Sequence, residues 1–235
     1  MRQSACWAFS SLGPDGSSAQ KDLIAIAIDV DEDINVRSAA TEAIGRVLDP
    51  KNPDGIDELN KLAVSKEKSL SFNAVIAIGR FGKLASRSTT TLKVLIDKKI
   101  YQVSDLAKAS LMMVNPKEGL SWKSDIISIV SSKNVSRWDR DSVAWGILGL
   151  MSLGEKLIPD LKIIKKFLEN HKNDRLFVLN ALFGIRDMGH VFEALLPDIE
   201  RLKDSDDHRV RSQAKKTLEV VRKAVKDHKA KNGPP

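Results

Sequence analysis

The chain has 235 residues, a formal net charge of +7, 42% hydrophobic residues and 5% aromatic residues. This hydrophobic content excludes a chain that is disordered throughout, and the few aromatic residues disfavour a nucleic-acid platform that relies on base stacking. The single cysteine, Cys6, excludes an intramolecular disulfide, and with only four histidines it excludes a Cys/His zinc cage. The longest apolar run, residues 143–151, is short of the roughly 20 residues that cross a bilayer. We therefore expect a soluble, cytoplasmic protein without a membrane segment.

The positive charge is concentrated at the carboxyl end of the chain. From Arg209 onward there are nine Lys or Arg residues against Glu219 and Asp227, so this segment carries the whole net charge. The preceding 208 residues hold equal numbers of basic and acidic side chains.

The predicted elements repeat along the chain with a period of 34 or 35 residues. A small-residue column recurs, and an apolar column follows it four residues later. The small column contains Ala5, Ala40, Ala74, Ala109, Ala144, Leu179 and Ala214, and the apolar column contains Phe9, Ile44, Ile78, Met113, Leu148, Phe183 and Leu218. This spacing predicts one amphipathic helix per repeat, the B helix.

A second apolar column lies fifteen residues before the first and predicts an A helix ahead of each B helix. Its members are Ala25, Leu59, Val94, Ile129, Ile164 and Ile199. Acidic or polar breaks between the two helices supply N-caps for the B helices. Gly/Pro breaks, such as residues 13–16 and 49–55, separate the repeats. A single helix pair cannot bury both faces, so the pairs are predicted to stack.

Several of these segments resemble HEAT repeats, most closely the short variety of bilin-lyase-type HEAT proteins. The resemblance is carried by residues 195–199 with Leu202, Asp204, Val210-Arg211, Ala214 and Leu218, by Val36-Arg37 with Ala40 and residues 43–45, and by residues 157–161. It implies an all-α fold, a right-handed α-solenoid of stacked HEAT-like helix pairs. We predict one solenoid over residues 1–228, beginning mid-repeat at a B helix, and a flexible basic tail over 229–235. The first B helix, with Trp7, Phe9 and Leu12, is expected to belong to a truncated array or to a docking end.

Catalytic motifs are weak in this sequence. The histidines form no pair at ligand spacing and are expected at the surface near helix ends, so the His-Glu iron pairs of the HEAT-like deoxyhypusine hydroxylases are not matched. There is no Gly-rich phosphate loop or nucleophile elbow, and we expect no cofactor. Residues 137–141, Arg-Trp-Asp-Arg-Asp, resemble the Trp and Asp of HEAT-like alkylpurine DNA glycosylases. The competing interpretation is that Asp139 or Asp141 caps a helix and the indole packs against the next repeat.

The sequence therefore favours a non-catalytic protein–protein interaction scaffold whose partner is another protein. The candidate partner surface comprises Arg46, Arg80, Trp138, Arg140, Lys215 and Arg222. Two alternatives stay open, a nucleic-acid-binding protein that uses the basic C-terminal helix and a HEAT-like lyase or glycosylase that uses Asp139 or Asp141.

Overall fold

The computed structural model describes residues 1–47, 53–137 and 139–232, and these residues form helices and no strand. They divide into two compact units, unit 1 (Met1–Gly119) and unit 2 (Leu120–Pro235). The predicted all-α solenoid architecture of paired helices is confirmed.

Unit 1 contains eight helices in its described residues. They are α1 (Arg2–Leu12), α2 (Gln20–Ile28), α3 (Ile34–Ile44), α4 (Ile56–Ala63), α5 (Lys68–Phe81), α6 (Thr89–Asp97), α7 (Val103–Val114) and α8 (Pro116–Gly119). The B helices are α1, α3, α5 and α7, and each packs against the next along the chain. The A helices are α2, α4 and α6, and each packs against the B helix that follows it.

Unit 2 repeats the same arrangement with six helices in its described residues. They are α9 (Lys123–Val130), α10 (Arg140–Met151), α11 (Leu161–Asn170), α12 (Arg175–Met188), α13 (Leu196–Arg201) and α14 (His208–Asn232). The B helix α12 lies between the B helices α10 and α14, while α9, α11 and α13 are the A helices. Segments of 3-10 helix, Gly154–Asp160 and Gly189–Leu195, lead from a B helix to the next A helix.

The small-residue column lies where neighbouring B helices approach each other. Ala40, Ala74, Ala109 and Ala214 are fully buried, and Ala144 is 5% exposed. A methyl group added at Gly45 of the same repeat would lie 2.7 Å from the Cα of Ala77 in α5. The small side chains are therefore required because they let helix backbones come this close.

The A-helix column is only partly correct. Leu59, Ile164 and Ile199 are fully buried, whereas Ala25 and Val94 are exposed. In those two helices the buried positions lie to either side of the predicted one, at Leu23 and Ala27 in α2 and at Leu92 and Leu95 in α6. Each residue of a helix is rotated by about 100° from the one before it. A connecting segment that differs by one residue therefore changes which residue of the A helix faces the core, and a fixed offset of fifteen residues does not always find it.

Acidic N-caps are confirmed at three B helices. The carboxylates of Asp33, Asp174 and Asp207 accept hydrogen bonds from the free backbone amides at the starts of α3, α12 and α14. Asp139 occupies the N-cap position of α10, but its carboxylate accepts a hydrogen bond of 2.6 Å from the Ser136 hydroxyl. Asp139 therefore lies at the predicted N-cap position, but its side chain makes no capping hydrogen bond to the amides of α10.

Polar side chains on the B helices also hold the A helices. Arg37 donates to the Ala27 carbonyl at 3.2 Å, and at the equivalent position of the next repeat Ser71 donates to the Ala63 carbonyl at 2.6 Å. Both acceptors lie at the end of the preceding A helix. The serine hydroxyl thus makes the same hydrogen bond from the B helix to the A helix that the arginine makes in the repeat before it.

The last helix, α14, is longer than predicted. It continues to Asn232, so residues 229–232 of the predicted flexible tail are helical. Lys229 donates to the Glu193 carboxylate at 2.8 Å, which ties this end of the helix to the preceding 3-10 segment. Residues 233–235 of the predicted tail lie outside the described residues.

Candidate functional site

Arg46 lies two residues after the end of α3, and Arg80 lies on the neighbouring B helix α5. Arg46 is exposed and its Nη2 lies 3.2 Å from the Glu42 carboxylate, one turn earlier on α3. The side chain of Arg80 crosses the helix contact, because its Cδ would lie 3.4 Å from a methyl group added at Gly45. Burial and the nearby Arg46 charge lower the pKa of Arg80 to about 10, while Glu42 opposes this shift. The two predicted arginines thus form one cationic cluster with Glu42 at its edge.

Arg140 of unit 2 is held by contacts with other side chains of the protein. Its guanidinium makes two contacts with the Asp174 carboxylate, at 2.6 and 3.0 Å, and stacks 5.0 Å from the centre of the Phe177 ring. Asp174 is also the N-cap of α12, so Arg140 links the start of one B helix to the start of the next. Trp138, the other predicted residue of this segment, lies outside the described residues.

Lys215 and Arg222 lie on α14, two helical turns apart. Lys215 is exposed, whereas Arg222 donates to the Glu200 carboxylate at 2.7 Å. A hydrogen bond from Lys203 and the Arg222 guanidinium lower the pKa of Glu200, which keeps this carboxylate charged. Part of the basic surface predicted on α14 is therefore already paired with A-helix residues.

Of the four histidines, His171 differs from the surface position expected of it, whereas His208 and His228 are exposed as expected. His171 is buried, with its ring 4.9 Å from the Phe167 ring and 5.0 Å from the Phe177 ring. His190 and His228 stack with their ring centres 4.0 Å apart. The His171–Phe177 and His190–His228 contacts left no signal in the sequence because they join different elements, whereas Phe167 and His171 are a local pair four residues apart. Among the described residues, no group of three His, Cys, Asp or Glu side chains is placed to hold a metal ion.

A groove of about 780 Å³ lies along the A-to-B connections of unit 2. It runs from α11 and the residues after it to α13 and the start of α14. Its lining is mostly charged: Lys165, Leu168, Glu169, Lys172, Asn173, Arg175, Asp198, Arg201, Leu202, Asp204, Ser205, Asp206, Asp207 and Val210. The sequence analysis treated residues 204–207 as a helix break and did not predict this groove, because its walls come from residues far apart in sequence.

Charges of both signs alternate along this groove. Asp198 lies between Arg201, at 3.4 Å, and Lys165, at 3.9 Å. Arg175 lies 3.9 Å from the Asp207 carboxylate, which also caps α14. Hydrogen bonds from the amides of Val210 and Arg209, together with the Arg175 charge, lower the pKa of Asp207. The groove therefore presents fixed negative charges beside exposed cations.

The described residues contain no helix that is long and apolar enough to span a bilayer.

Comparison with known structures finds similar chains, and three of them are engineered or designed proteins. An engineered protein is 14% identical, with a TM-score of 0.48 and coverage of 95% of this chain and 97% of the other. A designed armadillo repeat protein is 16% identical, with a TM-score of 0.42 and coverage of 93% and 92%. Another, in complex with the peptide (KR)4, is 16% identical, with a TM-score of 0.40 and coverage of 93% and 91%.

Comparison with curated proteins gives no match. A family model does match, and its description is HEAT repeats, over residues 20–111. This segment runs from α2 into α7 and holds three of the predicted A–B helix pairs. The predicted HEAT-like character is therefore confirmed, while the bilin-lyase-type variety stays a prediction.

Proposed function

We propose that this protein is a non-catalytic scaffold that binds a polypeptide segment of another protein. The observation that carries the proposal is the groove of unit 2, since nine of its fourteen lining residues are charged and only Leu168, Leu202 and Val210 are apolar. Pockets for small molecules are lined mainly by apolar and aromatic side chains. A groove of this size with alternating charges suits an extended peptide whose side chains carry both signs.

The HEAT-repeat match supports a binding role, because stacked repeats offer extended surfaces to partners. The surface predicted from the sequence, with Arg46, Arg80, Arg140, Lys215 and Arg222, stays a prediction within this proposal. Arg46, Lys215 and Arg222 are its exposed members. A cytoplasmic location likewise stays a prediction.

The test is affinity capture from a native lysate with the full chain as bait, with and without nuclease, followed by titration of the recovered partner. We expect one stoichiometric protein that survives nuclease. Asp204→Lys with Asp206→Lys should weaken its binding at least about tenfold, because reversing two groove charges opposes a partner selected by them. Both carboxylates are exposed and neither caps α14, so the fold should tolerate the change.

The matched control is Asp15→Lys with Asp22→Lys, which makes the same charge change at exposed positions of unit 1. Equal loss of binding in both variants would show that net charge matters and the groove does not. Recovery that disappears with nuclease would instead favour the nucleic-acid alternative.

A further inference from the structure

Two neighbouring A-to-B connections of unit 1 form a second surface, which we call the lysine loop patch. It comprises Lys66, Lys68, Lys98, Lys99, Ile100 and Tyr101. The Nζ atom of Lys68, at the start of α5, lies 5.5 Å from the centre of the Tyr101 ring, which precedes α7. This distance is within the range of a cation–π contact, so the two connections meet at one site.

The backbone of the second connection is strained. Lys99, with φ of 49°, and Gln102, with φ of 65°, are the two non-glycine residues with positive φ among the described residues. Such conformations are unfavourable for residues with a Cβ atom, and they occur preferentially at binding sites. They flank Ile100 and Tyr101, which are 41% and 59% exposed. The strained backbone therefore holds two large apolar side chains at the surface.

The lysines of the patch differ from Arg87 and Lys93 of the same unit in having no ion-pair partner among the described residues. Arg87 and Lys93 pair with Asp57 and Glu118, at 3.1 and 3.2 Å. In the part of the chain that the structure describes, the four lysines of the patch are exposed and form no ion pair within 4.0 Å. Glu67 and Asp97 lie between them in sequence, so the two connections keep a net positive charge.

We propose that the lysine loop patch binds an acidic peptide segment that carries one large apolar side chain. Carboxylates of the segment pair with the lysines, and its apolar side chain covers Ile100 and packs against the Tyr101 ring. The proposal rests on the scaffold function but concerns a surface in unit 1 that shares no residue with the groove of unit 2.

A nucleic acid fits this surface less well than an acidic peptide does. A phosphate backbone offers no apolar group to cover Ile100, and the patch has a single aromatic ring, whereas single-stranded binders stack successive bases on several.

The test is fluorescence anisotropy of a labelled peptide of Glu and Ser residues with one central Phe, at an ionic strength near 0.15 M, where weak long-range attraction is screened. Three further probes have the same length: the peptide with Ser in place of Phe, the peptide with Lys in place of Glu, and single-stranded DNA. We expect saturable binding of the acidic peptide with Phe. Its Ser counterpart should bind several-fold more weakly, and the basic peptide should not bind.

Variants of the patch decide whether the binding occurs there. Lys98→Glu with Lys99→Glu should weaken binding at least about tenfold, and Ile100→Ser should remove the preference for Phe. Lys21→Glu with Lys83→Glu makes the same charge change at exposed positions of unit 1 and should leave the affinity unchanged. Thermal unfolding of each variant checks that the fold is retained.

The proposal is overturned if the acidic peptide does not bind, if the patch and control variants lose affinity equally, or if DNA binds as tightly and depends on the same lysines. The groove variant Asp204→Lys with Asp206→Lys should leave peptide binding at the patch intact. Failure of the patch is therefore distinguishable from failure of the groove and of the scaffold function.

Discussion

Ala40 and Ala5 occupy the same position in two copies of the repeat, but their surroundings differ. Ala40 is fully buried where α3 meets its neighbouring helices, whereas Ala5 of α1 is exposed. Ala40→Leu should lower the free energy of unfolding by about 1–3 kcal/mol, because added methyl groups overpack a close helix contact. Urea denaturation monitored by circular dichroism measures the difference.

Ala5→Leu is the matched control for this substitution. It makes the same chemical change at the same repeat position and should change stability by no more than about 0.5 kcal/mol, as exposed substitutions usually do. Equal effects at the two positions would show that the helix contacts around Ala40 have been assigned incorrectly.

Asp207 links helix capping to pH. The amides that it accepts from, those of Val210 and Arg209, lower its pKa below the ordinary value of 3.8. A carboxylate with a lowered pKa stabilises the folded state above its unfolded pKa, and this contribution is lost as the pH falls through the folded pKa. The free energy of unfolding should therefore decrease between pH 4 and lower pH in the unmodified protein.

Asp207→Asn isolates this contribution, because asparagine is also a good N-cap but does not titrate. We expect the stability advantage of Asp207 over Asn, present at neutral pH, to vanish at low pH. Denaturation at a series of pH values tests this. A difference that is constant with pH would show that the charge of Asp207 does not stabilise α14.

At the scale of the element, α1 is the most exposed B helix of unit 1. Trp7, Phe9 and Leu12 are 50%, 37% and 54% exposed, whereas Cys6 of the same helix is 2% exposed. Burial raises the pKa of Cys6, although the Arg2 charge opposes this shift, so the folded state holds the sulfur as a poorly reactive thiol. Few buried contacts predict that α1 opens at a lower free-energy cost than the whole unit.

Cys6 reports on this opening because it is the single cysteine of the chain. We expect alkylation of Cys6 to be slow compared with a free thiol, but faster than global unfolding allows. Pulsed alkylation measures the free energy of local opening at Cys6, and urea denaturation of the same sample measures the free energy of global unfolding. Cys6→Ser is the control that cannot be alkylated. Equal values would mean that α1 unfolds only with the rest of unit 1.

At the scale of the whole molecule, the net positive charge resides on α14. This helix carries nine Lys or Arg residues, but Arg211 donates to the carbonyls of Ser205 and Asp206, and Arg222 and Lys229 bind carboxylates. Six cations are left for phosphate contacts. Any affinity for duplex DNA should therefore fall with salt with a log–log slope no steeper than about −5, instead of the roughly −8 of nine free cations.

Titration of a labelled duplex at several salt concentrations measures this slope. Lys215→Ser with Lys216→Ser should make the slope shallower by about 2, and Lys21→Ser with Lys83→Ser should leave it unchanged. A slope near −8 would mean that the ion pairs of α14 open when nucleic acid binds.

Sequence reasoning predicted the repeat and most of the helix positions because both depend on local patterns. An α-helix has 3.6 residues per turn, so side chains at that spacing lie on one face. A 35-residue period with small and apolar columns therefore predicts stacked helix pairs without any knowledge of contacts. The N-caps at Asp33, Asp174 and Asp207 were predictable for the same reason, since a cap binds amides two or three residues away.

The tertiary structure alone decided which of the charged residues are available. Arg140 looked like a surface residue, but its partner Asp174 lies 34 residues away in sequence. The groove of unit 2 and the lysine loop patch likewise join side chains from different repeats, and the positive φ values of Lys99 and Gln102 leave no trace in residue type. Sequence patterns thus determined the repeated helix pairs of this protein. Its surfaces depend on contacts between repeats, which only the folded chain creates.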